Sequence, residues 1–142
     1  MRIRFKPWAR PELEASEFYR DNPEKLKDKW IEEFKNKENP IHLELGCGKG
    51  NFISQLAIQN ASINYIAIDL VDAMLGLAKR SVEQVYKEQN KEIDNVILTR
   101  FDIERIMLIL GKQDNIKRIY INFCNPWPKG KHRKKRLTHT RQ

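Results

Sequence analysis

The chain has 142 residues, of which 40% are apolar and 32% charged, with 27 basic against 19 acidic residues and a net charge of +8. This balance permits one domain with a buried core and excludes general disorder. No apolar run reaches the length of a membrane span, and no apolar signal segment follows the basic Met1 to Arg10. Cys47 and Cys124 form neither a disulfide framework nor a Cys-x-x-Cys motif, so a soluble cytoplasmic protein is expected.

In chain order, residues 1–10 carry Arg2, Arg4, Lys6 and Arg10 with no acid, and read as an irregular basic arm. Asn22-Pro23 then signals a helix start, because Asn caps and Pro fits the first turn; Leu26, Trp30 and Phe34 give that helix one apolar stripe. A strand over Ile41 to Leu45 leads into Gly46-Cys47-Gly48-Lys49-Gly50. A helix follows over about Asn51 to Gln59, with Phe52, Ile53, Leu56 and Ala57 on its buried side. Tyr65 to Ile68 form a second strand ending at Asp69, and Asp72 is expected to cap a helix packed through Leu75, Ala78, Val82 and Val85. Val96 to Leu98 form a third strand reaching Asp102, then a short helix covers about Ile103 to Leu110. A fourth strand runs from Arg118 to Phe123, with Ile119, Tyr120, Ile121 and Phe123 expected to pack together.

Apolar strands alternating with helices imply an α/β fold whose mostly parallel sheet is covered on both faces. Residues 1–40 form the arm and leading helix, and residues 41–142 the sheet domain. Only about four strands are legible, and the fourth would leave unpaired backbone at the sheet edge. The chain therefore reads as the first part of a longer domain, or as one whose sheet a second copy completes.

The glycine turn between strand and helix lets backbone approach a ligand closely. It is not a dinucleotide fingerprint, since the third glycine, Gly50, falls one residue early, and no phosphate-loop Gly-Lys-Ser/Thr is present. A nucleoside ligand without a pyrophosphate fits better. Asp69 ends the next strand, where a carboxylate accepts from ribose hydroxyls in such folds, and Asp102 lies where it could reach a base. Glu44 should face the glycine turn. The bland alternative is a surface turn with two solvated acids. His42 reads as structural, and no His–carboxylate–Cys cluster has metal-ligand spacing. Residues 129–141 add Lys129, Lys131, Arg133, Lys134, Lys135, Arg136 and Arg141 with no acid, leaving 16 basic against 19 acidic residues in the rest of the chain outside the two basic ends. Positive charge confined to both ends suits a polyanion, and the alternative is a solubilising tail.

The chain resembles the tRNA (guanine-N7-)-methyltransferases, which modify the variable loop of tRNA. The likeness is carried by Met1-Arg2-Ile3-Arg4-Phe5-Lys6-Pro7-Trp8-Ala9, by Ile41 to Phe52 across the glycine turn, and by Asn64 to Asp69. It ends with Asn122-Phe123-Cys124-Asn125-Pro126-Trp127-Pro128-Lys129 and the basic Lys131 to Leu137. The resemblance implies a Rossmann-like class I methyltransferase fold, doubly wound, of which only the N-terminal portion is present. It also implies S-adenosyl-L-methionine as cofactor, tRNA as partner, and 7-methylguanosine and S-adenosylhomocysteine as products. By the same resemblance Glu44, Gly46, Gly48, Gly50, Asp69 and Asp102 would bind the cofactor, with Asp69 replacing a more usual glutamate. Lys129, Lys131, His132, Lys134, Lys135 and Arg136 would contact tRNA, Lys131 replacing a more usual arginine. Asn125 stands where the family has a catalytic aspartate, and the family's later Thr-Asp motif lies beyond position 142.

Two other accounts remain open from sequence. One is a catalytically weak or inactive RNA-binding protein that keeps the fold. The other is a nucleotide-dependent oxidoreductase, which the displaced glycine disfavours.

Overall fold

The computed structural model of the chain describes residues 5–121. Its regular elements are α1 (Ala9–Glu14), β1 (Tyr19–Arg20), β2 (Ile41–Leu45), α2 (Asn51–Gln59), β3 (Asn64–Asp69), α3 (Asp72–Glu88), β4 (Val96–Arg100) and β5 (Ile116–Ile121), with two 3-10 segments between β1 and β2 and two, Ile103–Leu108 and Lys112–Asp114, between β4 and β5. The strands form one sheet in the order β1-β4-β3-β2-β5, every neighbouring pair parallel. The expected four strands are present, and β1 adds a two-residue fifth beside β4 that no apolar run announces.

Each face of the sheet has its own core. On one side α1, α2 and α3 pack through Leu13, Ile53, Ala57, Leu75, Ala78 and Val82 onto Tyr65, Ala67 and Leu98. On the other, Trp30, Phe34, Ile109 and Leu110 cover Ile41, Leu43, Leu45, Ile66, Ile68 and Ile97. Burial on both faces explains why β3 reads as a continuous apolar run instead of an alternating one.

The expected helix after Pro23 does not form. Two 3-10 turns, Pro23–Leu26 and Trp30–Glu33, replace it, separated by Asp28 at φ 67°. The cause lies far away in sequence. Buried Asp114 accepts from the backbone N–H of Asp28 (2.8 Å) and of Trp30 (3.1 Å), and Asp28 in turn accepts from Gln113 N–H (2.8 Å). Amides taken by a carboxylate are lost to an i→i−4 ladder. The fully buried Trp30 then seats its indole N–H on the Ile109 carbonyl at 2.7 Å, turning the apolar stripe into an anchor for the far face.

Four smaller expectations also change. The last two residues of the expected arm are helical, because α1 begins at Ala9; residues 1–4 lie outside the described residues. Phe52 is 39% exposed; it lies on the flank of α2, edge-on to Tyr120 at 5.4 Å, and not in the core. Ile119 is 53% exposed because β5 is the edge strand of the described sheet, while Phe123 lies outside the described residues. Asp72 does not cap α3: it is the first helical residue, after extended Val71, and its carboxylate pairs with two arginines instead.

α1 is fastened to α3 by charge as well as by packing. Glu12 accepts from Arg80 at 2.7 and 3.0 Å and from Lys79 at 3.1 Å, while the Arg80 guanidinium lies 3.6 Å from the Trp8 ring centre. Chiefly through the Arg80 hydrogen bonds, Glu12 is held down to about 2 from an ordinary 4.5. A depressed carboxylate stabilises the fold fully above its unfolded pKa and loses that contribution as pH falls through the folded one. The difference in urea midpoint between the parent chain and Glu12→Gln is therefore expected to hold constant above about pH 5 and shrink between pH 4.5 and 2. A difference that persists unchanged at pH 2 would show that the ion pair contributes nothing to stability.

Candidate functional site

The chain order β2, β3, β4 runs outward in one direction, after which β5 returns to the opposite side of β2. That reversal makes a topological switch point between the carboxyl ends of β2 and β5, the place where open α/β sheets bind ligands. The glycine turn follows β2 directly into this crevice.

Gly46, Gly48 and Gly50 adopt φ of 77°, 57° and 84°, the left-handed region where a side chain is strained. Their amides are directed, not loose. Gly46 and Cys47 N–H both donate to the Ile68 carbonyl, at 2.8 and 3.1 Å, and clasp the end of β3. Gly48 N–H donates to Asp69 Oδ2 at 2.9 Å, and Val71 N–H donates to Asp69 Oδ1 at 3.0 Å. Asp69 thus joins the glycine turn to the β3–α3 turn, bringing two motifs separated by about twenty residues into one surface. Each carboxylate oxygen has a further lone pair beyond the amide that it accepts.

The three glycines do different work. Gly50 sits where a Cβ would lie 2.6 Å from Ala78 Cα and 2.8 Å from Ala78 Cβ, so its bareness lets α2 approach α3. Gly46 and Gly48 shape the loop itself.

Glu44 is fully buried, in register with Ala67 of β3 and Tyr120 of β5. Asp102 lies just past the end of β4, and its Oδ1 accepts Glu104 N–H at 3.0 Å, capping the turn Ile103–Leu108. It is partly exposed at the same edge of the sheet as Asp69, whose register partner in β4 is Arg100. His42 is half-buried against Tyr65 and Tyr120; burial, then Arg118, lowers its pKa, consistent with a neutral structural imidazole. Asn125, Trp127, Lys129, Lys131, His132, Lys134, Lys135 and Arg136 lie outside the described residues.

Three charged groups that hold this edge carry no functional signal in the sequence. Arg10 Nε donates to Asp72 Oδ2 at 3.1 Å, Arg100 Nε lies 3.5 Å from Asp72 Oδ1, and Arg100 Nε donates to the Leu70 carbonyl at 2.9 Å. The partners are 62, 28 and 30 positions apart, so no spacing rule finds them. Arg100 at the last position of a strand that ends beside an acid is the only hint available.

A family model described as "Putative methyltransferase" matches residues 38–142, which includes the glycine turn, Asp69 and Asp102. The chain belongs to this methyltransferase family. Curated proteins named tRNA (guanine-N(7)-)-methyltransferase from Clostridium perfringens (strain 13 / Type A) and Clostridium botulinum (strain Alaska E43 / Type E3) are each 60% identical over 142 residues. They align with all of this chain and with 65% and 64% of their own lengths. One of the same name from Ruminiclostridium cellulolyticum is 57% identical over 143 residues, covering 60% of its length. The chain therefore spans less than two thirds of the length of these relatives. A solved structure described as "Structure of an Antibiotic Related Methyltransferase" aligns with 70% of this chain and 45% of its own at 25% identity and a TM-score of 0.47. A likeness of that size carries no argument about the site. No helix among the described residues is long and apolar enough to cross a membrane.

Proposed function

We propose that this chain forms the cofactor-binding part of a tRNA (guanine-N7-)-methyltransferase that methylates guanine N7 in the variable loop. The supporting observation is the Gly48 N–H to Asp69 Oδ2 hydrogen bond, which unites the glycine turn with the strand-end acid at the topological switch point. The choice of tRNA and of N7 rests on the names of the relatives and on the resemblance of the residues.

The site chemistry fits S-adenosyl-L-methionine. Gly46 and Gly48 shape the turn that leaves β2, with Gly46 part-exposed, and Asp69 keeps acceptor capacity for the two ribose hydroxyls. Asp102 would meet the adenine, Glu44 would serve the methionine or sugar end, and Gly50 would contribute through the helix packing that shapes the turn. When bound, the cofactor supplies a sulfonium methyl that the N7 lone pair accepts, leaving S-adenosylhomocysteine. Because N7 carries no proton, the protein's task is alignment more than base catalysis, and effects of that kind supply roughly 7–11 kcal/mol. Asn125 would accept a hydrogen bond from the guanine but cannot balance the positive charge developing on the ring. Lys129, Lys131, His132, Lys134, Lys135 and Arg136 would contact tRNA phosphates, giving strongly salt-dependent affinity with little sequence selectivity. The exposed Ile119 edge of β5 would be covered by sequence corresponding to the extra length of the relatives, or by a second copy. A cytoplasmic location follows from this reading.

The test is methyl transfer from labelled S-adenosyl-L-methionine to unmodified tRNA by the complete gene product that contains this chain, with the product nucleoside identified by mass. The expected product is 7-methylguanosine. A folded preparation that gives none would overturn the proposed activity and leave at most a binding module or an inactive protein. Asn125→Asp is expected to raise turnover roughly tenfold, the rate equivalent of the extra ~1.4 kcal/mol that an ionised acceptor contributes. No gain would remove position 125 from the chemistry.

A further inference from the structure

The β3–α3 turn, Asp69-Leu70-Val71-Asp72, is held from three directions. Asp69 reaches back to the glycine turn and forward to the Val71 amide. Arg100, the last residue of β4, donates to the Leu70 carbonyl at 2.9 Å and lies 3.5 Å from Asp72. Arg10, on α1, donates to the other Asp72 oxygen at 3.1 Å. Asp72 itself is the first residue of α3, where negative charge also complements the helix dipole.

α1 is not a loose donor of Arg10. Trp8 and Ala9 sit against Gly76, where a Cβ would come within 2.9 Å of both, and Glu12 is bound to Lys79 and Arg80. The helix is therefore registered on α3 about one and two turns further along, at Gly76 and at Lys79 and Arg80, and Arg10 is delivered to Asp72 from a fixed platform. The Asp72 carboxylate is only 28% exposed, so its two arginines act on a partly desolvated group.

We propose that Arg10 and Arg100, acting through Asp72, are positioning residues that hold Asp69 and the glycine turn in the shape that binds the cofactor's ribose. The proposal rests on the cofactor reading above. It makes α1 a working part of the cofactor site, although no residue of α1 lies in the glycine turn or at a strand end. Because the pairs are partly exposed, the expected coupling is modest.

The test uses the complete gene product containing this chain, with Arg10→Ala, Arg10→Lys and Asp72→Asn variants. Three quantities are read: the Kd for S-adenosylhomocysteine, kcat at saturating cofactor, and amide exchange at Gly48 and Val71. Arg10→Ala and Asp72→Asn are expected to raise Kd about fivefold and to speed exchange at those two amides, with kcat within about twofold of the parent. Arg10→Lys, which keeps the charge, should recover most of the affinity. An unchanged Kd in the alanine variant overturns the proposal. So does a loss in which Leu43 and Ile66 amides exchange faster by the same factor as Gly48 and Val71, since that is general destabilisation. If the parent itself does not bind S-adenosylhomocysteine, the cofactor reading falls and takes this proposal with it, an outcome distinct from either of the others.

Discussion

Gly50→Ala is expected to destabilise the fold by roughly 3 kcal/mol, from two separate costs. Holding a side chain in the left-handed region costs about 1–2 kcal/mol, and Gly50 has φ 84°. The new Cβ would also lie 2.6 Å from the backbone of Ala78, which cannot swing aside as the tip of a flexible side chain could. Overpacking of this kind costs about 1–3 kcal/mol. Urea denaturation should show a lowered midpoint with an unchanged slope. Lys49→Ala, at the exposed neighbouring position, should shift stability by no more than about 0.5 kcal/mol. A Gly50→Ala effect of only about 1–2 kcal/mol would mean that α2 and α3 have room to part and that the glycine is there for the turn alone; a smaller one would remove both costs.

Asp69→Ala is expected to weaken S-adenosylhomocysteine binding by about 100-fold. Hydrogen bonds to a charged acceptor contribute about 1.5–3 kcal/mol each, and ribose offers two hydroxyls to it. The same substitution strips the Gly48 and Val71 amides of their acceptor, so the turn loosens as its ligand contacts disappear. Asp69→Glu separates the two effects, because a longer carboxylate keeps the charge and the acceptors. It should stay within about tenfold of the parent. Calorimetric titration measures both. Parent-like affinity in Asp69→Ala would remove the ribose role from this residue and leave it as a loop tie.

These two residues also mark how the sequence could and could not be read. The place of Asp69 was legible because a carboxylate closes the apolar run Tyr65 to Ile68 and so marks the end of a strand. Gly50 was legible as a turn residue, yet its main contact is with α3, 28 positions later. A missing Cβ leaves no trace of what it makes room for.

The sequence alone determined β2, β3 and β4, since strands buried on both faces read as apolar runs with turn residues between them; β5, an exposed edge strand, was legible from its isoleucines and tyrosine instead. It also determined the glycine turn and its adjoining acid, because left-handed backbone selects glycine locally. Tertiary structure decided the rest. The stripe Leu26, Trp30 and Phe34 has helical spacing, but Asp114 takes the amides of Asp28 and Trp30 and leaves two 3-10 turns. Asp72 has the composition of a cap, but Arg10 and Arg100 claim its carboxylate. In both cases a charged side chain took partners distant in sequence, Asp114 while also accepting the nearby Gly111 N–H. Local propensities are worth tenths of a kcal/mol per residue, and a charge-assisted hydrogen bond in a partly desolvated site is worth more.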